Sequence, residues 1–342
     1  MGRSHLLTIR SAAVFYALIY TSIDTSYNTI SDVHPSSPYT MAASGNIDPN
    51  AYTAPFQLTK NLHRDVYPAI DIAAHSSYAK GKVILVTGAS GGLGHEISRT
   101  WSNAGAKGVV LVGRDAARLD STASELEVET LVAAGDIANE EAVKRIFESA
   151  IARFGTVDVV VNTAGTTNIN GMIGQISPSQ WWTDYESNVK GSYNLAHHFI
   201  TATSGKGTFI NLVSLGASFL APGMSSYGSA KLAAIRLGEF LDLEQPNLRV
   251  FSVHPGIVEA SSGRGMVIDH FTPFAKDKQA LTAALTLYLL KPEADFLRGS
   301  FFSANWDVEE MEKHKEEILE GKLLKLGFIG ARLSPEGHPW KS

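Results

Sequence analysis

The chain has 342 residues, is 44% apolar, carries a formal net charge of −5 and contains no cysteine. With no long basic run and no basic–aromatic interleaving, this charge balance speaks against a nucleic-acid surface. The lack of thiols excludes disulfides, thiolate metal sites and a cysteine nucleophile, and it fits a reducing compartment such as the cytoplasm.

Residues 11–20 (SAAVFYALIY) form an apolar run of ten behind Arg3 and Arg10. Ten residues are too few to span a bilayer, and no small-x-small cleavage site follows them. Residues 21–55 are rich in Ser, Thr, Asn and Pro with little periodicity, the composition of a segment without fixed structure. Residues 1–55 are therefore read as a disordered leader, or as the upstream extension of a protein that starts at Met41. A membrane anchor at 11–20 is the reading not favoured.

After residue 80, short β-type runs alternate with amphipathic segments. Strands are predicted at 83–87, 109–112, 129–133, 157–161, 208–213, 249–253 and 300–303, and helices near 93–103, 115–126, 139–154, 180–203, 225–243 and 277–290. This alternation predicts an α/β fold: a single Rossmann-type, doubly wound parallel sheet of about seven strands with helices on both faces. Ligands of such a sheet bind beyond the carboxyl ends of its strands. We read 56–80 as an extension packing on the core, 81–305 as the Rossmann domain and 306–342 as a helical tail. Residues 257–276 form a loop long enough to serve as a lid or binding loop. The charged stretch 307–326 is expected to be a solvated surface helix.

The residues with chemical potential fall at the strand tips. The first strand runs into KVILVTGASGGLG, with Gly88, Gly92 and Gly94 in the turn and Ser90 and Leu93 between them. A strand, a glycine turn and a helix N-terminus together cradle a pyrophosphate. The second strand ends in Gly113-Arg114, where an acid would hold a ribose 2′-hydroxyl. Arg114 offers a fork for a 2′-phosphate instead, so NADP(H) is expected over NAD(H). Asp115 reads as a helix cap. At the third tip Asp136, followed by Ile137, is placed to bond an adenine amino group or to cap the next helix. At the fourth, Asn162-Thr163-Ala164-Gly165 are small enough for close approach to a cofactor.

Ser214 ends the fifth strand, and Tyr227 and Lys231 follow on the next helix. Four residues apart, Tyr227 and Lys231 share one helix face. A free phenol titrates near 10; a nearby ammonium and a cationic nicotinamide are expected to pull it down, fitting Tyr227 to exchange a proton with a carbonyl or alcohol oxygen. Ser214 would bond the same oxygen, and Lys231 the nicotinamide ribose. Asn188, inside a helix that disfavours it, invites a polar task such as holding a water near Lys231. Pro255-Gly256 shape a turn able to present backbone groups to the nicotinamide amide. The eleven histidines form no H-E-x-x-H pattern, and no metal is expected. Ser214 lacks a G-x-S-x-G elbow, which disfavours a serine hydrolase.

Taken as a set, these residues resemble the short-chain dehydrogenase/reductase superfamily over roughly 82–304. The resemblance implies a single-domain Rossmann fold, an NAD(P)-dependent alcohol/ketone oxidoreductase, and a tetrad of Asn188, Ser214, Tyr227 and Lys231. It further implies cofactor contacts by Leu93 and Val258, and homodimers or homotetramers pairing through the helices near 180–203 and 225–243. Thr163 stands where a second Asn is usual, and Ala260 where Thr is often found. Tyr67-Pro68-Ala69-Ile70 and Ser303-Ala304-Asn305-Trp306-Asp307 resemble fungal members, several of which act in secondary-metabolite pathways. The substrate expected is a medium-sized apolar carbonyl or alcohol under the 257–276 loop, near Ile257, Val258, Met266, Val267, Ile268, Phe271 and Phe274, if these residues do not simply pack. An NAD-dependent dehydrogenase and a non-catalytic nucleotide sensor are the alternatives.

Overall fold

A computed structural model describes residues 48–167, 172–258 and 269–327. The chain divides into two units, Met1–Phe56 and Gln57–Ser342. In the first, residues 48–56 are described and contain one 3-10 turn, Ala54–Phe56.

The second unit opens with short turns between Pro68 and Tyr78. There follow β1 (Val83–Thr87), α1 (Gly92–Asn103), β2 (Gly108–Gly113), α2 (Ala116–Ala123), β3 (Glu129–Ala134), α3 (Glu140–Phe154) and β4 (Val159–Asn162). The next segment is α4 (Pro178–Tyr185), a π turn (Glu186–Lys190) and α5 (Gly191–Thr203). The chain continues through β5 (Gly207–Leu212), α6 (Ser225–Glu244), β6 (Leu248–His254), α7 (Gln279–Tyr288), β7 (Phe301–Ser303), α8 (Val308–Lys313) and α9 (Lys315–Gly321). All seven strands are parallel, in the order β3-β2-β1-β4-β5-β6-β7. The winding reverses between β1 and β4, which opens a crevice at their carboxyl ends.

Period-2 alternation explains why both faces are covered. In β1, Ile84 and Val86 enter one core with Trp101, Tyr288 and Phe302, whereas Val83 and Leu85 enter the other with Phe147, Phe199 and Phe209. Trp101 satisfies its indole N–H on Thr286 Oγ1 (2.9 Å), joining α1 to α7. No helix among the described residues is long and apolar enough to cross a membrane; the 11–20 run lies outside them.

Two elements differ from the sequence expectation. The helix expected over 180–203 is three pieces, with the π turn between α4 and α5. The segment expected to be one solvated helix, 307–326, is the pair α8 and α9. Its Val308, Met311, Ile318 and Leu324 are buried in the core beside Phe302 and Trp306. Dense surrounding charge hid that sparse apolar stripe.

The extension beyond Gln57 is woven into the same core. Ile70 and Ala79 are fully buried. His63 N–H donates to Asn305 O (2.9 Å), and its ring stacks on Tyr67 at 3.5 Å. The Tyr67 hydroxyl donates to Trp306 O (3.3 Å) and accepts from Val308 N–H (2.9 Å). The segments 67–70 and 303–307, distant in sequence, thus pack together.

Candidate active site

The glycine turn is a cradle that side chains would fill. Gly88 and Gly92 have φ of +65° and +54°, a region side chains rarely adopt. A Cβ on Gly94 would lie 2.4 Å from Gly88 O. The Thr163 hydroxyl donates to Thr87 O (2.6 Å), locking the fourth strand's tip against this turn. Leu93, on the first turn of α1, is partly buried and packs on the core.

At the tip of β2, Arg114 is exposed and Asp115 caps α2 by accepting from Arg118 N–H (3.2 Å). Arg118, which the sequence reading passed over, sends its guanidinium to Ser90 O in the glycine turn (3.0 Å). Its place in the first turn of α2, directly after the tip of β2, was the available signal.

Asp136 is exposed, and its carboxylate accepts from Ala138 N–H (2.9 Å). Asn139, not Asp136, caps α3. Ile137 is buried; its carbonyl accepts from Asn194 Nδ2 (2.8 Å), and its side chain lies where a Cβ on Gly191 would stand, 2.7 Å away. Asn162 is buried and spends its side chain inside the protein. Its Oδ1 accepts from Thr87 Oγ1 (2.6 Å), and its Nδ2 donates to Ser192 Oγ (3.0 Å) and Asn211 Oδ1 (2.9 Å). In this arrangement Asn162 binds the strand tips to one another, and Ala164 and Gly165 leave the room beside it.

Asn188, Ser214, Tyr227 and Lys231 converge beyond β4 and β5. The π turn closes with Gly191 N–H on Glu186 O, adding a residue to the helical turn. Asn188 Nδ2 donates to Thr166 O and Asp184 O (2.9 Å each). Its Oδ1 is buried with no hydrogen-bond partner among the described residues. A Cβ on Gly165 would lie 2.5 Å from that oxygen and 3.4 Å from Lys231 Nζ, so only glycine fits between them. Lys231 Nζ donates to Leu212 O (3.0 Å) and stands 5.8 Å from the centre of the Tyr227 ring. Ser214 Oγ accepts from Gly216 N–H (3.0 Å) and shares a side-chain hydrogen bond with Tyr227.

The electrostatics correct one expectation. The Tyr227 phenol is not acidified: burial pushes it above its ordinary value, the Ser214 hydrogen bond opposes that, and the negative charge of Asp184 adds to it. Part of the residue reaches the surface, yet its surroundings strip it of solvent. Burial also lowers Lys231 to about 8, with Asp184 working against the shift.

Asp184 is the second residue missed in the sequence. It is fully buried, and its carboxylate accepts from Thr166 Oγ1 (2.9 Å) and Ser226 Oγ (2.6 Å), the latter beside Tyr227. Its position one turn before Asn188 was the only hint. Asp184→Asn keeps the shape and removes the charge, so the pH at which activity falls should move downward. A pH–rate profile identical to that of the wild type would show that its field does not reach the pair. The stability cost should be about 1–2 kcal/mol from weakened hydrogen bonds.

Beyond β6, Gly256 has φ of +86°, and Pro255 O accepts from Thr282 Oγ1 (3.0 Å). Val258 bridges Asp277. Of the residues named for the substrate, Met266, Val267 and Ile268 lie outside the described residues, as does the Phe271 side chain. Phe274 is buried.

Three comparisons bear on this site. The family model described as short chain dehydrogenase matches residues 82–267. Curated relatives include "Short chain dehydrogenase mpl6" of Monascus purpureus, 32% identical over 289 residues, covering 81% of this chain and 98% of the relative. "Short chain dehydrogenase andI" of Emericella variicolor is 29% identical over 279 residues, covering 78% and 94%. Among solved structures, a putative short-chain dehydrogenase/reductase from Burkholderia xenovorans superposes with a TM-score of 0.60 at 26% identity, over 67% of this chain and 96% of that one.

Proposed function

The chain belongs to the short-chain dehydrogenase family, and we propose that it is an NADP(H)-dependent oxidoreductase that interconverts a ketone and a secondary alcohol. The observation that carries this reading is the convergence of Asn188, Ser214, Tyr227 and Lys231 beside a glycine cradle. A bound nicotinamide dinucleotide would supply the hydride. Ser214, its oxygen already accepting from Gly216 N–H, turns its own proton toward the substrate oxygen. Tyr227 gives that oxygen its proton. Burial keeps the phenol protonated in the free protein, the form a proton donor needs. The ammonium of Lys231 restores the phenol's proton, and the partnerless Asn188 Oδ1 suits a water linking Lys231 to solvent.

Gly88, Ser90, Gly92, Leu93 and Gly94 would hold the pyrophosphate, Asp136 and Ile137 the adenine, and Ala164, Gly165, Pro255, Gly256 and Val258 the nicotinamide side, with Asn162 bracing the strand tips. The preference for NADP(H) rests on Arg114, exposed at the tip of β2. Arg114→Ala should weaken NADPH binding about 10–100-fold, the worth of a charge-assisted contact to phosphate, and leave NADH nearly unchanged. Fluorescence titration with both cofactors measures this; equal losses would favour an NAD-dependent enzyme.

A medium-sized apolar substrate, of the kind found in fungal secondary metabolism, is supported by the loops beyond β4 and β5. There Met172, Ile173 and Leu220 stand 45%, 81% and 82% exposed, apolar side chains that an apolar substrate would cover. Exposed Tyr193 on α5 and Leu232, Phe240 and Leu243 on α6 support a homo-oligomer paired through those helices.

A further inference from the structure

The turn after β6 is held by a buried carboxylate. Asp277, 0% exposed, accepts from Ile257 N–H on Oδ2 (2.6 Å), and from Arg64 Nη1 and Asn305 Nδ2 on Oδ1 (2.9 Å each). Its own N–H returns to Ile257 O (3.2 Å). Gly256 must be glycine for the same reason: a Cβ there would sit 2.4 Å from Asp277 Oδ2. Arg64 is fixed in turn, its carbonyl accepting from Lys278 N–H (2.8 Å). Arg64 belongs to the N-terminal extension, and Arg64, Asp277 and Asn305 all lie outside the 82–267 family region.

We propose that Asp277, clamped by Arg64 and Asn305, is a positioning residue that sets the 255–258 turn for the nicotinamide half of the cofactor. The inference rests on the cofactor reading above. A carboxylate grips an amide N–H more firmly than a neutral acceptor does. Burying that charge is costly unless a partner offsets it, and burial already raises the Asp277 carboxyl, with Arg64 the first influence opposing the rise. The extension thereby supplies the positive charge that opposes the burial penalty on Asp277 and helps to hold the turn in place. A residue far from the glycine cradle in sequence would help to decide how tightly the reactive ring is held.

The test uses the full chain and two ligands, NADPH and adenosine 2′,5′-bisphosphate, which lacks the nicotinamide. Asp277→Asn and Arg64→Met should each weaken NADPH about tenfold, the worth of one charge-assisted hydrogen bond, and leave the bisphosphate unchanged. The double variant should recover the thermal stability lost in Arg64→Met, because no charge is left buried and unpaired, yet still bind NADPH weakly. Should Asp277→Asn fail to fold, Arg64→Met and Arg64→Lys carry the comparison, with Lys restoring part of the NADPH affinity. A pure structural brace would lower the melting temperature and leave both ligands bound as before, or weaken both alike; either result overturns the inference. Wild-type protein that binds neither ligand overturns the cofactor reading and this inference with it.

Discussion

Tyr227→Phe is expected to lower kcat by about 10²–10⁴-fold, the usual worth of a positioned proton donor, with little change in NADPH affinity. The substitution removes one oxygen and keeps the ring. The packing of α6 survives, and the Ser214 hydroxyl retains its bond from Gly216 N–H. Stability should therefore change by about 1 kcal/mol or less. Because burial raises the phenol, the wild-type enzyme should keep its proton donor through the neutral range. Its reductive activity should fall only toward alkaline pH, where Lys231, at about 8, gives up its charge. Steady-state kinetics alongside fluorescence titration separates the readings. A nucleotide sensor would be indifferent to the substitution, and retained turnover would remove Tyr227 from the chemistry.

The second large effect runs in opposite directions for activity and stability. Lys231→Met should abolish most turnover and yet stabilise the protein without cofactor. Burial lowers the amine from 10.5 to about 8, a difference equivalent to about 3 kcal/mol of penalty on the charged form. Orphaning Leu212 O, which now accepts from Lys231 Nζ, costs about 1–2 kcal/mol, leaving a net gain of about 1–2 kcal/mol. The pH dependence has a definite sign. Below about 8 both folded and unfolded chains carry the charge, and the penalty is felt in full. Between about 8 and 10.5 the folded amine sheds its proton first, so wild-type stability rises with pH until the unfolded amine follows. The advantage of the Met variant should accordingly be greatest near neutral pH and shrink above it. Denaturant titrations on either side of this window test it; a variant less stable than wild type at neutral pH would mean that the amine is better compensated than the geometry implies.

The sheet was legible because its signals are local. Apolar runs and helical spacing in each segment sufficed for seven parallel strands, and the four-residue spacing of Tyr227 and Lys231 put them on one face of α6 before any contact was known. The features that escaped depend on partners remote in the chain. The π turn that sets Asn188 closes with the Gly191 N–H on Glu186 O, which hydrophobic periodicity does not record. Asp184 meets Ser226 across 42 residues, and Asp277 meets Arg64 across 213; a lone acid in either place reads as surface. The side chain of Asn162, read as lying near the cofactor, is also tied to Thr87, Ser192 and Asn211. The phenol moved up rather than down because desolvation, which no spacing encodes, outweighs the Ser214 hydrogen bond, and the Asp184 charge adds to the rise.

The most direct test of the central claim is a crystal structure of the chain with NADP⁺ bound. The account predicts the 2′-phosphate at Arg114, the pyrophosphate on Gly88–Gly94, and the Tyr227 hydroxyl facing the nicotinamide, with room for a carbonyl whose carbon lies about 3–3.5 Å from the ring's reactive position. A nicotinamide seated away from Ser214 and Tyr227, or a Tyr227 hydroxyl turned from the cleft, would contradict it.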